Sequence, residues 1–286
     1  MGHKLCRRFQ VNVTTKIDKF VSRPISVVLS VIVCTRDDHE VFGKTLESLR
    51  GIPSDFFEVI VSDSSSHPEI TRQIIAEAGL RASVSYCWSE PQGVFPGINA
   101  ALPHARGRWI HVLHSGDLLL SESVDPLIEA LEGSTDDILV FHIVYMRSGE
   151  YVYFKKISQD SMTLPHQATF VRSYVHEEIG LYDERYKFAA DQVFLHAART
   201  RFRVKVLEPV VVAFDISGLS SKLKWRVMRE ASALYKLYGY GPFKRLFHAY
   251  AFQIFRRFTT DLISPKVMDL YSRRRHRPVP EFLRKP

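Results

Sequence analysis

From Ile25 onward, short apolar runs alternate with longer amphipathic stretches. Ile25-Ser-Val-Val-Leu-Ser-Val-Ile-Val33 is continuous and β-branched, the pattern of a strand buried on both faces. It ends in Cys34-Thr-Arg-Asp-Asp38. Val41, Leu46 and Leu49 then fall on one helical face, and Gly51-Ile-Pro53 stops that helix. A second strand, Phe57 to Val61, ends in Ser62-Asp-Ser-Ser-Ser66, and a helix from His67 to Ala78 leads to a third, Ala82 to Cys87. After a loop from Ser89, the segment Asn99 to Gly107 predicts a short helix terminated by its glycine. A fourth strand, Trp109 to Leu113, ends abruptly in His114-Ser-Gly-Asp117. Beyond it the pattern predicts a helix from Val124 to Leu131 and a strand from Ile138 to Tyr145. An antiparallel strand across 148–157, a helix opened by Asp191 and a last strand from Val204 to Val212 complete it. Such alternation predicts an α/β fold, a mainly parallel sheet flanked by helices.

Polar, acidic turns follow successive strands at one edge, and open α/β sheets bind ligands at the carboxyl ends of their strands. Ser115-Gly116 lets the backbone turn sharply, so Asp117 either faces a ligand or caps the helix suggested by Ser121-Glu-Ser-Val-Asp-Pro126. Asp191 carries the same two readings, helix cap or ligand group.

A chain of 286 residues accommodates one main domain and an appendage. The pattern divides it into an N-terminal extension (1–24), an α/β domain (25–221) and a C-terminal segment (222–286). Charge sharpens this division. Residues 222–286 hold 16 Lys+Arg against 4 Asp+Glu, whereas residues 1–221 hold 23 against 27. The basic character therefore belongs to the C-terminal segment, and with an acidic main domain and no nucleic-acid motif the chain is not read as a nucleic-acid binder. Two helices, 222–240 and 242–263, are predicted there. Phe243, Leu246, Phe247, Tyr250, Ile254 and Phe258 lie on one face of the second. That face either packs on the α/β domain or settles, with the basic residues, into an anionic headgroup layer. The longest apolar run is about half of the ~20 residues that a membrane span needs, and residues 1–24 lack the apolar core of a secretory signal, so a cytoplasmic protein is expected. Cys6, Cys34 and Cys87 have neither zinc nor redox spacing, which fits a reducing compartment.

Five blocks, in order, resemble the inverting glycosyltransferases of family 2, particularly those of bacterial exopolysaccharide and O-antigen assembly. The family's opening strand and P-T-Y-N resemble Val31-Ile-Val-Cys-Thr-Arg-Asp37, and its V-D-G-G-S resembles Val61-Ser-Asp-Ser-Ser-Ser66. Its S-E-P-D-x-G-I-Y-D-A-M-N resembles Ser89-Glu-Pro-Gln-Gly-Val-Phe-Pro-Gly-Ile-Asn99. Its G-E-W-I-x-F-L-N-S-G-D resembles Gly107-Arg-Trp-Ile-His-Val-Leu-His-Ser-Gly-Asp117. Its H-Q and G-x-F-D-E-x-F-x-x-A-x-D blocks resemble His166-Gln167 and Gly180-Leu-Tyr-Asp-Glu-Arg-Tyr-Lys-Phe-Ala-Ala-Asp191.

The resemblance implies a GT-A fold, a nucleotide-sugar donor with UDP favoured over GDP or dTDP, and a divalent metal, Mn²⁺ or Mg²⁺, on the diphosphate. It assigns metal binding to Asp117, with His114 at the motif's first acidic position. Thr35, Asp37 and Asp63 go to the nucleoside side, and Glu90, Asn99 and Ser115 to the donor pocket. His166 and Gln167 border the acceptor or diphosphate, and Asp191 is the general base that deprotonates the acceptor hydroxyl. The acceptor would be a saccharide or polyprenyl-linked. The basic segment would then hold the enzyme peripherally on the cytoplasmic face of the inner membrane. His114, Gln92 and Gly97 stand where the family carries acidic residues. A GT-A domain that has lost catalysis and serves as a scaffold or partner subunit is the competing expectation.

Overall fold

The computed structural model describes residues 5–8, 27–147, 149–216 and 224–247. Four parallel strands form the first half of one sheet: β2 (Val27–Thr35), β3 (Phe57–Asp63), β4 (Ser83–Trp88) and β5 (Gly107–His114). β1 (Leu5–Arg8) pairs antiparallel with β4, and the order from this edge is β1-β4-β3-β2-β5. β2 and β3 are almost wholly buried. That fits strands covered on both faces by α1 (His39–Ser48), α2 (Pro68–Glu77) and α3 (Val94–Ala101). The second half holds β7 (Ile138–Arg147) beside the parallel β10 (Val204–Asp215), with β8 (Glu150–Lys155) antiparallel on β7 as the alternating pattern predicts. β6 (Leu118–Leu119) closes the far side on β10.

The halves are joined by β9 (Thr169–Arg172), which pairs antiparallel with both β5 and β7 and which the sequence pattern does not predict. Trp109 on β5 secures this seam. Its Nε1 donates to Leu131 O (2.8 Å) on α4 (Val124–Gly133), and the Arg172 guanidinium lies 4.0 Å from its ring centre. α5 (Ser173–Ile179) packs on β5, β9 and α6 (Ala190–Arg199).

Two local predictions fail for clear reasons. The short helix begins at Val94, not at Asn99, because Pro96 occupies its first turn, where no N–H partner is lost. Gly107 opens β5 instead of ending a helix; a Cβ there would lie 2.4 Å from Ser30 N, so only glycine permits this approach of β5 to β2. Beside it Ser30 Oγ and Arg106 Nε both donate to the buried Glu58 carboxylate (2.8 Å each), stapling the amino-terminal ends of β2, β3 and β5. Cys87 is disulfide-bonded while Cys34 is free, so cysteine spacing no longer argues for a reducing compartment.

In the C-terminal segment α7 (Lys224–Leu237) and α8 (Pro242–Leu246) are described, and the rest of the predicted second helix lies outside the described residues. Leu234 is buried and Tyr238 packs edge-on against His196 of α6 at 4.8 Å, so this first helix docks on the α/β domain. Phe243 and Phe247 remain 89% and 58% exposed.

Candidate active site

The register brings the strand ends together: Cys34 lies opposite His114, Thr35 opposite Asp63, and Asp63 opposite Trp88. After β5 the chain reverses within three residues. Ser115 N–H and Oγ both donate to Cys34 O (2.9 and 3.2 Å), Gly116 takes φ +100°, and its N–H donates to Thr45 Oγ1 (2.9 Å). Asp117 is 2% exposed and caps no helix; α4 starts only at Val124. Its carboxylate instead accepts the N–H groups of His114 (3.2 Å) and Asp215 (3.1 Å). Burial pushes its pKa up to about 8 against those two bonds, and the charge of Asp215 adds to the rise.

Asp215, at the end of β10, is a functional candidate that sequence reasoning missed. A Cβ on Gly116 would sit 3.3 Å from its Oδ2, so this second carboxylate overhangs the Ser115-Gly116 turn. Phe214-Asp-Ile-Ser-Gly places an acid and small residues at the end of a strand, as the Asp117 turn does with the acid last, which is the signal that could have found it. No cluster of three metal-ligating side chains occurs among the described residues. A hard divalent cation, however, is commonly held by one or two carboxylates while substrate phosphates complete its shell. Asp117 and Asp215 are the two carboxylates here that could hold such an ion. His114 contributes its main-chain N–H to Asp117, while its ring lies 6.2 Å from that of His166.

The second element of the site is the start of α6. Asp191 lies in its first turn, yet the cap residue is Ala189 and no side chain caps the helix locally. Asp191 Oδ2 accepts from Gln192 Nε2 (3.0 Å), which also donates to Leu164 O (2.8 Å). Oδ1 is buried and has no partner. Burial raises the Asp191 pKa, opposed chiefly by the Gln192 bonds.

Four imidazoles line this part of the fold, of which His114 is the one that interacts with Asp191. Burial lowers the pKa of His114 and His166 to about 4 and of His111 and His176 to about 3. His166, in a tight turn over His166–Ala168, shares a 3.1 Å hydrogen bond between its Nε2 and the Tyr182 hydroxyl. His111 stacks on Phe170 at 4.0 Å and His176 on Phe194 at 4.5 Å. Gln167 is half-buried beside His166.

The remaining sequence candidates mostly shape the loops. Asp63 is fully buried, and its oxygens accept from Ser65 N–H and the Tyr86 hydroxyl (2.7 Å each). Asp37, at φ +56°, accepts Ser66 N–H (2.7 Å) and donates its own N–H to Ser65 Oγ (2.9 Å), tying the turns after β2 and β3. Asn99 holds the loop before α6: Oδ1 accepts Tyr182 N–H (2.9 Å), and Nδ2 donates to Tyr182 O (2.8 Å) and Glu184 Oε1 (3.0 Å). Thr35 Oγ1 is buried without a partner, and Glu90 is exposed at the rim. A Cβ on Gly97 would meet Ser62 Oγ at 2.9 Å, so the space where the family's acidic side chain would start is already filled. Tyr182 also went unpredicted, because only tertiary packing brings it to His166, and Gln192, although adjacent to Asp191, is fixed toward it by its bond to Leu164 O.

Residues 30–207 match the Glycosyl transferase family 2 domain. An uncharacterized glycosyltransferase of Mycobacterium tuberculosis is 27% identical over 237 residues, 78% of this chain and 89% of its own length. S. aureus TarS 1–349 in complex with UDP-GlcNAc superposes with a TM-score of 0.61 at 20% identity, over 74% of this chain and 66% of its own length. Mannosyltransferase PcManGT from Pyrobaculum calidifontis, in complex with GDP-Man and Mn²⁺, gives 0.59 at 18% identity, over 81% of this chain and 73% of its own. The curled, mostly parallel sheet is that of GT-A glycosyltransferases, and with the family match covering most of its length the chain belongs to glycosyl transferase family 2.

Proposed function

We propose that this protein is an inverting glycosyltransferase that moves a sugar from a nucleoside-diphosphate donor to a saccharide or polyprenyl-linked acceptor in surface polysaccharide synthesis. The observation that carries the reading is Asp191: a buried carboxylate with a raised pKa and one unbonded oxygen, near the turn that presents Asp117. In the proposed step Asp191 takes the proton of the acceptor hydroxyl as its oxygen attacks the anomeric carbon. The bond to the diphosphate breaks on the opposite face, which inverts the centre. Gln192 aims the carboxylate through its bond to Oδ2. His114 and His166, kept neutral by burial, add no positive charge that would quench the base. A divalent cation bound at Asp117 and Asp215 would stabilise the negative charge that develops on the leaving diphosphate.

UDP is the favoured nucleotide; a relative of the same fold, TarS, is known in complex with UDP and UDP-GlcNAc. Calorimetric titration with UDP and GDP, with and without Mn²⁺, tests the donor class, and absence of binding to any nucleoside diphosphate sinks the reading. The changes at His114, Gln92 and Gly97 favour the scaffold as a second reading. Turnover of a nucleotide sugar by wild type and not by Asp117→Ala eliminates it.

Residues 222–286 are proposed to attach the enzyme peripherally to the cytoplasmic face of the inner membrane. Support comes from the 16 basic residues and from exposed Phe243 beside Lys244. No helix among the described residues is long and apolar enough to cross a membrane. Sedimentation with anionic liposomes should show binding that weakens as salt shortens the Debye length from ~10 Å to ~3 Å. Binding that ignores both lipid charge and salt would remove this part of the proposal.

A further inference from the structure

The helix that carries Asp191 begins after Ala189, whose methyl group cannot cap it, and the three residues that lead into it, Lys187 to Ala189, turn their N–H groups toward α7. Glu230 Oε1 accepts Lys187 N–H (2.9 Å), and Oε2 accepts Phe188 N–H (2.7 Å) and Ala189 N–H (3.1 Å). A carboxylate at a helix N-terminus is favoured by the helix dipole, and its bonds to N–H groups are charge-assisted. One side chain thus fixes three consecutive peptide groups ending two residues before Asp191. The same clamp holds the root of Lys187, whose Nζ reaches across to Gln92 O (3.3 Å) in the loop that resembles the family's donor block. Glu230 thus holds the turn that leads to Asp191, whose buried Oδ1 has no hydrogen-bond partner.

We propose that Glu230 is a positioning residue for the base, and that α7 is therefore a working part of the catalytic centre despite belonging to the basic C-terminal segment. Resting on the reading of Asp191 as base, it adds that the base's reactivity is set from outside the region matched to the family, which ends at residue 207. α7 is seated firmly enough for this task, through buried Leu234 and the edge-on contact of Tyr238 with His196.

The test uses the full chain with a nucleotide-sugar donor that supports turnover. Glu230→Gln keeps size and shape but turns an NH₂ group toward main-chain donors. It should lower kcat about 10- to 100-fold, leave donor KM within about twofold, and move the acidic limb of the kcat–pH profile, the limb governed by the base. In the Asp191→Asn background the same change should cost little more, because the group being positioned is already gone. A purely structural glutamate would lower the folded fraction and leave the pH limb where it was. Should Glu230→Gln fail to fold, Glu230→Asp, which keeps the charge but retracts it by one methylene, is measured instead and should show a smaller loss with the same shifted limb. Unchanged kcat and pH limb in whichever variant folds, with Asp191→Asn inactive, overturns this proposal alone. Full activity of Asp191→Asn overturns the reading of the base beneath it.

Discussion

Asp117 and Asp191 are both buried carboxylates with raised pKa values near the carboxyl edge of the sheet, yet they are held in opposite ways. Each oxygen of Asp117 accepts a main-chain N–H, from His114 and Asp215. Asp191 has one oxygen on a side-chain amide and the other on nothing. The first is built into the backbone of a tight turn and fixes its shape. The second keeps a lone pair for a proton, beside His114 and at the start of a helix whose approach is clamped from α7. Anchoring and reactivity are thus separated between two groups of the same chemistry: both oxygens of Asp117 have a partner, and one oxygen of Asp191 has none.

The sharpest way to break this comparison is to remove the charge from each acid in turn. Asp191→Asn should lower kcat by about 10² to 10⁴-fold while the affinity for the donor, read by calorimetry, stays nearly constant. A matching loss of donor affinity would make Asp191 a second anchor and erase the distinction. Asp117→Ala should act on the fold as well. Two N–H groups lose their acceptor, which costs on the order of 1–3 kcal/mol of unfolding free energy in urea titrations. Any enhancement of UDP binding by Mn²⁺ should disappear with it. If stability falls and the Mn²⁺ effect survives, Asp117 is an anchor only.

Acidity separates the groups further. For buried His166 the folded pKa is about 4 against the ordinary 6.5 of an imidazole in water, so the unfolded chain binds the extra proton between those values. Its stabilisation is complete above pH 6.5 and is lost as pH falls toward 4, by roughly 3 kcal/mol at the limit. His111, His114 and His176 act in the same direction. Asp117 has the reverse sign: raised to about 8, it favours the fold most at low pH and loses that contribution as pH climbs from 3.8 through 8. Urea unfolding from about pH 4 to about pH 9 should therefore show a steep acid limb and a shallower alkaline one. A flat acid limb would mean that the imidazoles are not buried as neutral groups. The smallest effect is expected of Gly116→Ala. At φ +100°, with Asp215 Oδ2 at 3.3 Å, the methyl group should cost about 1–2 kcal/mol and change kcat only a few-fold. A larger kinetic loss would tie the turn itself to the chemistry.

Much of this arrangement was legible along the chain. Strands buried on both faces are continuous and β-branched, so β2, β3, β5 and β7 declare themselves, and the acids that follow β2, β3 and β5 mark the edge that binds ligands. Asp117 stood out for that reason, and Asp191 through its place at the start of a helix and in the last of the five blocks. β9 and α5 did not, because four residues beginning Thr169-Phe170 carry too little periodicity to separate strand from loop. The roles of Asp63 and Asn99 were also hidden. Whether a polar side chain faces a ligand or braces a loop depends on donors and acceptors 23 to 85 residues away, Tyr86, Tyr182 and Glu184 among them. Glu230 left no local trace at all, since it completes a helix end more than 40 residues earlier.

The antiparallel β9 also has a consequence for synthesis of the chain. As the polypeptide emerges, β2 to β5 can assemble as soon as residue 114 has left the ribosome, but one side of β5 stays unpaired until Thr169–Arg172 arrives. Over that interval, at roughly 5–20 residues per second, a strand rich in Trp, Ile, Val and Leu offers a free hydrogen-bonding edge. Nascent chains stalled before residue 169 should depend most on chaperones, and those stalled once Arg172 has emerged should not.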